Sequence, residues 1–530
     1  MSTFNTRRQR TRSSRAALRG PTRALVIGLV VTAVTVAGCG GSSGKRSSSQ
    51  NAASTQSRGV PSQITIADDQ VVTALDPLVN SDYEFDQLTL LWGGFLTTYG
   101  AGQPELASTL SPSDDSREWA VTLRPGVRFS SGAPIKAQDV VATFERVDNT
   151  PAMHTDGFVG PFITNLSSVA ADGNSTVIFK FKLPEPDFAK QVSIPEFVIV
   201  PATGIAQGAS FWKHPISAGR YVIASADLTN GNFRFTVNPD DPGTPPKVKT
   251  VVVTSVPDAA TRLAELKSGQ IDYAENIPGN VLPQITGNLR VDPAPWFGGS
   301  LFLQPNLARG TVLSDVRIRE AINLAVSRQQ ISQTALGGDI AGQPLYGIPW
   351  NQTNAAPNVP AFPSNLAKAK ALLHGTACQN GCTLKTLYYT DAVWQLPVTI
   401  QVVAQQLSTI GIKLALDGVP LSTSDLYPSG WELWMGWTGD YDNSATFLSN
   451  YYVTSQWQVP QGFSDPAMVA VGKEMAVARP DQLTTLVQQA NKLYAQYLPD
   501  IYLTTLTYLA GSSLPAKVLT NTGAAYFDIG

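Results

Sequence analysis

Hydrophobic and polar positions change period many times along this chain. Ile64-Thr65-Ile66-Ala67 reads as a strand, and a helix-like stretch runs from about Phe85 to Phe95. Trp119-Ala120-Val121-Thr122-Leu123 alternates as a half-buried strand should, and Arg124-Pro125-Gly126 turns it, so that Val127-Arg128-Phe129 is expected to pair back. From Lys136 to Val147 the period becomes helical, with Ala137, Val140, Val141 and Phe144 on one face. Gly219–Ile223 and Phe233–Val237 read as paired strands, and Val248–Val253 as a strand of buried character. Pro257-Asp258 opens a helix through Leu263 and Leu266 that stops at Gly269. Asp315 starts another, with Ile318, Ala321, Ile322 and Ala325 at helical spacing. Pro397 opens a helix through Leu407 to Gly411, and Ile412–Leu416 then gives a strand. Helices and strands mix throughout, which predicts an α/β architecture whose lobes exchange chain segments.

The N-terminus does not belong to that pattern. Arg7, Arg8, Arg10, Arg12, Arg15, Arg19 and Arg23 form a basic region without an acidic residue, and Ala24–Ala37 is an apolar stretch too short for a permanent membrane span. It ends in Val36-Ala37-Gly38-Cys39, which resembles the lipobox of bacterial lipoproteins. That resemblance implies cleavage before Cys39 and lipidation of Cys39; an ordinary cleaved signal or an uncleaved anchor helix is the alternative. Arg7-Arg8 lacks the hydrophobic residues that usually follow a twin-arginine pair. Gly40 to about Gln63 is almost devoid of apolar residues, so it is expected to be a flexible tether. Gly40–Gly44 matches G-x-S-x-G, but with no strand before it and no helix after it the match is read as chance.

Export changes the charge. Removing seven arginines leaves 31 basic against 40 acidic residues, a net of about −9, with no basic patch of the kind nucleic acid requires. About 465 residues remain, enough for two or three lobes with substantial cores. Ten tryptophans and 16 tyrosines are a generous supply; most are expected in cores, and a surplus would suit a ligand cleft. Cys378 and Cys382, in an exported protein, are read as a disulfide closing a short loop. His154, His214 and His374 are the only histidines and show no metal-ligand spacing, so no metal or other cofactor is expected.

The order of motifs resembles one family, the extracytoplasmic solute-binding proteins that serve peptide, dipeptide and nickel ABC importers. Leu75-Asp76-Pro77 resembles its opening turn. Leu123–Gly132 followed by Ala137-Gln138-Asp139-Val140-Val141 resembles its strand, tight turn and helix signature. Pro215–Tyr221 is similar to a turn that usually ends glycine, proline, tyrosine; Arg220 replaces the proline. Leu266–Asp272, Asp315–Ile322 and Ala367–Leu373 before Gly411-Ile412-Lys413 resemble further blocks, so the likeness runs from about Ile64 to Ile529.

The resemblance implies a two-lobed periplasmic-binding-protein type II-like fold closing over a ligand, with an extra subdomain on the first lobe. Residues 1–38 would be the signal peptide and 39–63 the lipidated cysteine and tether. Residues 64–95, 208–300 and 505–530 would form lobe I, 96–207 its extra subdomain, and 301–504 lobe II. The chain would be a non-catalytic monomer, held by lipid on the outer face of the cytoplasmic membrane and delivering its ligand to membrane permease subunits. It has no phosphate-cradling glycine loop ending in Lys-Ser or Lys-Thr, in keeping with ATPases on other chains.

The candidate ligand site is Trp431–Tyr441. Read as a strand, it puts Trp431, Leu433, Met435 and Trp437 on one face and Trp434 and Gly436 on the other. Gly436 and Gly439 would leave room for close backbone approach. In peptide-binding relatives the aspartate of Trp-x-x-Asp-Tyr accepts the peptide's α-ammonium, and Trp437, Asp440 and Tyr441 match that motif. A carboxylate closed into a cleft favours a cation, because an unpaired buried charge costs several kcal/mol. Trp434 is a further candidate; the alternative is that Asp440 caps a turn and the tryptophans are core. Asp82, Tyr83 and Glu84 lie in a segment that borders the cleft in relatives, and Tyr388, Tyr389 and Trp394 would line the lobe II side, with a buried strand as the alternative for the two tyrosines. No arginine stands out for a ligand carboxylate. Oligopeptides with a free amine are therefore the expected cargo; an oligosaccharide, an opine or a metal complex is the alternative on the same fold. A lipid-anchored hydrolase is the competing class, poorly supplied with catalytic groups. A purely structural envelope protein is the last alternative.

Overall fold

The computed structural model describes residues 61–79, 83–154, 159–241, 245–348, 363–390, 393–420, 430–438 and 462–515. They fall within one unit, Ser57–Gly530. The first strand, β1 (Gln63–Asp68), leads to helix α1 (Tyr83–Trp92). α1 stops three residues earlier than its periodicity predicts, at Gly93. A Cβ there would sit 2.6 Å from the Thr89 carbonyl oxygen and 2.9 Å from Val198.

A separate sheet of four strands follows: β2 (Ala107–Pro112), β3 (Glu118–Leu123), then, beyond helix α2 (Ala137–Asp148), β4 (Leu166–Asp172) and β5 (Thr176–Phe181). Its order is β2-β3-β5-β4, all antiparallel. Val127–Phe129 does not pair back on β3 as expected; Arg128 bridges Pro134 instead. The reason is that β2 and β5 already occupy both edges of β3. α2 lays Val140, Val141, Phe144 and Val147 into the core beneath, where Phe144 stacks on Phe197 and meets Phe179 edge-on. Its start is fixed by Asp139, which accepts from the backbone N–H of Lys136 and of Ala202, both at 2.9 Å. This small body is tied back to β1's half by Arg146, which reaches Asp76 of the Leu-Asp-Pro turn at 2.5 Å and lies over the Trp212 ring.

The large sheet collects the rest: β6 (Tyr221–Asp227), β7 (Asn232–Val237), β8 (Thr250–Ser255), β9 (Tyr273–Ala274), β10 (Arg290–Pro305), β11 (Cys382–Tyr389), β12 (Ile412–Val419), β13 (Leu433–Thr438) and β14 (Ile501–Ser512). Ten strands run in the order β12-β11-β13-β10-β14-β9-β1-β8-β7-β6. Helix α3 (Ala259–Ser268) is capped by Asp258 and ends on left-handed Gly269; α4 (Val316–Ala325) is capped by Asp315. α5 (Gln395–Ser408) begins two residues before Pro397, which places the proline in the first turn, where no N–H is needed. A Cys378–Cys382 disulfide closes the turn that enters β11.

Two long strands carry the chain between the halves of this sheet. β10 and β14 pair antiparallel from Arg290↔Ser512 to Pro295↔Thr507, and again from Ser300↔Thr505 onward. Between these stretches the four residues 296–299 of β10 stand opposite the single Leu506 of β14. On one side of that irregularity β14 meets β9; on the other, β10 meets β13. Separate hydrophobic clusters flank the two sides, one built on Ile64, Val251 and Phe235, the other on Leu301, Ile322 and Val403.

Candidate functional site

Strand direction decides where a ligand has access to this sheet. β1 runs parallel to β8 and β9, and β9 opposes β14 through Gly511↔Ala274. The chain leaving β1 and β9 therefore heads along β14 toward Thr507. In the other half β11 is parallel to β13, and β13 opposes β10 through Ser300↔Thr438. Its carboxyl end thus stands beside Ser300, which pairs with Thr505. Carboxyl ends from both halves converge on the irregular crossing between Pro295 and Ser300, the place where open α/β sheets hold ligands.

On the β13 side, the half-buried Trp437 meets Tyr389 edge-on, with ring centroids 5.8 Å apart. Trp434 is 0% exposed and packs edge-on against Phe302 at 5.6 Å and Tyr389 at 6.4 Å. It is a core residue here, because β13 lies inside the sheet between β11 and β10 and both its faces are covered. Gly436 serves the same packing. A Cβ on it would fall 2.7 Å from the outer edge of the Trp434 ring and 2.8 Å from Phe302, so the room expected for a ligand is filled by the protein's own rings. Tyr388 lies over Gly418 of β12. Trp394 is the N-cap residue of α5.

Tyr83 opens α1, with its side chain outside the described part. Asp82, Gly439, Asp440, Tyr441 and Cys39 lie outside the described residues. Asp440 follows the last residue of β13, Thr438, by two positions.

Sequence reasoning missed two groups at this crossing. Gln395, wholly buried, donates from Nε2 to the Thr507 carbonyl at 3.4 Å and so ties the start of α5 to β14. A glutamine at the first position of α5, next to the apolar Leu396, was the available signal. The second group lies at the ends of β1 and β9: Asp68, Asp69, Glu275 and Asn276. Glu275 N–H donates to the Ala67 carbonyl, placing it next to Asp68, and Asn276 Nδ2 donates to Asp69 Oδ2 at 2.6 Å. Burial holds the carboxyls of Asp68 and Glu275 well above the usual range, and negative neighbours add to it: Asp69 for Asp68, Asp68 and Asp69 for Glu275. The doublet Asp68-Asp69 at a strand end was visible in sequence; its meeting with Glu275, some 200 residues on, was not.

The buried arginines do not wait for a ligand carboxylate. Arg262 donates to the carbonyls of Glu275, Val256, Pro257 and Asn276. Arg319 binds those of Tyr497, Leu498, Leu313 and Ser314. Arg328 binds those of Leu345, Tyr502 and Asn323. Each stitches loops together. Among the described residues no group of three or more His, Cys, Asp or Glu side chains is placed to hold a metal ion.

Residues 102–458 match the family model described as bacterial extracellular solute-binding proteins, family 5, middle. The chain belongs to this family. Family-5 members are non-catalytic, extracytoplasmic transport receptors that bind a small solute and work with an ABC permease, so the hydrolase alternative falls. This family-5 receptor is 24% identical over 473 residues to the oligopeptide-binding protein AppA of Bacillus subtilis, covering 82% of this chain and 83% of that one. Among solved structures it resembles the Agrobacterium tumefaciens binding protein AgaA in complex with agropinic acid, at a TM-score of 0.72 and 22% identity, over 85% of this chain and 93% of that one. It also resembles Helicobacter pylori DppA in complex with the peptide STSA, at 0.74 and 18% identity, over 88% and 96%. The family-5 fold is the mixed α/β, two-lobed one, with the four-stranded sheet as its additional subdomain.

Proposed function

We propose that this receptor captures oligopeptides by their free N-terminal amine and is anchored to the membrane by lipid on Cys39. The observation that carries the reading is the place of β13: its carboxyl end, with the half-buried Trp437, stands at the crossing where both halves of the sheet direct their strand ends. Asp440 and Tyr441 complete the Trp-x-x-Asp-Tyr motif just beyond it. An ammonium held by Asp440 would gain roughly 1.5–3 kcal/mol, and Trp437 or Tyr441 about 1 kcal/mol more through a cation–π contact. The relatives add support, since AppA is named for oligopeptides and the DppA structure contains a peptide. AgaA with agropinic acid keeps an opine as the comparison ligand.

The test is a thermal-shift series on the full chain in detergent, with pools of two- to eight-residue peptides, their N-acetylated forms and an opine. Free-amine peptides at 100 times their dissociation constant are expected to stabilise the protein by about 2.7 kcal/mol. That gain should vanish on acetylation and in Asp440→Ala. Stabilisation by the opine alone, or indifference to acetylation, overturns the peptide reading. Release of Cys39→Ala from the membrane fraction tests the anchor.

A further inference from the structure

Besides sharing β10 and β14, the two halves of the large sheet touch backbone to backbone. After β9 the chain makes a 3-10 turn, Gly279–Gln284; in the other half a π-helical turn, Ser332–Leu336, ends on left-handed Gly337 (φ 85°). A Cβ on Gly279 would fall inside the radius of the Leu336 carbonyl oxygen and 2.6 Å from its carbon. One on Gly337 would stand 2.6 Å from the Gly279 carbonyl oxygen. Only glycine on each side permits this approach. The flanking side chains show that the contact joins two cores. Ile277 and Val281 pack with Ala67, Leu266 and Ala274, whereas Ala335 and Leu336 belong with Leu301, Ile322 and Val403. Leu282, next to Val281, crosses over and packs on the second of these.

Both sides of the contact are held firmly. The Ile277 N–H donates to the Leu509 carbonyl at 2.6 Å, and Arg262 donates to the carbonyls of Glu275 and Asn276 just before it. On the facing side the N–H groups of Gly337 and Gly338 donate to the Ser332 carbonyl, and the Ser332 hydroxyl donates to Asp339 Oδ1 at 2.7 Å. The contact also lies beside the crossing. A Cβ on Gly342 would sit 2.6 Å from the Thr505 carbonyl oxygen and 2.7 Å from Leu336 Cδ1, and Thr505 precedes Leu506, the residue opposite 296–299.

We propose that Gly279, Leu282 and Gly337 form a clasp that sets the closest approach of the two halves, and so act as positioning residues for solute capture. The glycines offer no side chain to a ligand. What they set is the width of the space between the strand ends that converge on the crossing, whichever solute is held there.

The experiment is pulsed electron double resonance on the full chain in detergent, between genetically encoded nitroxide side chains at the exposed positions Ala264 of α3 and Gln401 of α5, one in each half. Gly279→Ala adds a methyl that needs about 3.5 Å from the Leu336 carbonyl, so it should lengthen the mean separation by about 1–2 Å. Leu282→Ala removes attraction instead of adding bulk, and should broaden the distribution toward longer separations. Gly338→Ala is the control: it carries positive-φ strain (φ 117°) with open space around its Cβ, and should leave the separation unchanged. Wild-type separations in either Gly279→Ala or Leu282→Ala overturn the clasp, even with a lower unfolding midpoint, which a merely structural contact would also give. An equal lengthening in Gly338→Ala overturns it too. Should Gly279→Ala not fold, Leu282→Ala decides alone. The measurement needs no ligand, so its outcome is separate from that of the peptide reading.

Discussion

Gly436→Ala tests whether the β13 wall is a packed core or a ligand surface. The added methyl would stand 2.7 Å from Cη2 and Cζ3 of Trp434 and 2.8 Å from Cζ of Phe302, inside contact distance of two rings that are both 0% exposed. Neither ring has free space to retreat into: Trp434 is pinned by Tyr389 on one side and Phe302 on the other, and Phe302 meets Tyr502 at 5.9 Å. Overpacking of this kind costs about 1–3 kcal/mol. Guanidinium unfolding followed by far-ultraviolet circular dichroism is expected to show that loss. Trp434→Phe retracts the outer ring edge, so in the double variant the alanine should cost about 1–2 kcal/mol less than it does alone. Strict additivity of the two changes, or full stability combined with lost ligand affinity, would refute the packing account and return Gly436 to the ligand surface.

The remaining predictions concern stability away from the crossing. Burial pushes the part-buried Glu185 up from 4.5 to about 7, against a 2.9 Å hydrogen bond from Asn165. Its contribution is complete below the ordinary carboxylate pKa and is lost as pH rises through about 7. Glu185→Gln should therefore flatten the fall in stability between those values by at most about 3 kcal/mol, read from unfolding midpoints across pH. Replacing both Cys378 and Cys382 by serine releases a loop of sequence separation 4 and should cost about 2 kcal/mol in the same unfolding assay, with reductant producing no further loss.

Much of the fold was legible because its signals are local. Asp258, Asp315 and Gly269 mark helix ends by side-chain capping and left-handed backbone, chemistry that depends on a few neighbouring residues. The strand pairing of β6 with β7 lies across a short turn. What failed were statements about who sits beside whom at a distance. Val127–Phe129 looked like the return arm of a hairpin, but β3 had found its second partner, β5, more than 50 residues on. The alternation at Trp431–Trp437 was sound as a strand and silent on exposure. Period 2 separates two faces, and only tertiary context says that both are buried when the strand is interior.

The same distinction explains why the acidic group was missed. A motif such as Trp437-x-x-Asp440-Tyr441 is contiguous and can be read from sequence, whereas Asp68 and Glu275 are neighbours only because β1 and β9 lie side by side. Burial and the repulsion among Asp68, Asp69 and Glu275 disfavour the ionised forms of Asp68 and Glu275. Asp68→Asn removes a charge that burial disfavours, so it should raise the unfolding midpoint at neutral pH and above; an unchanged midpoint there would refute that account.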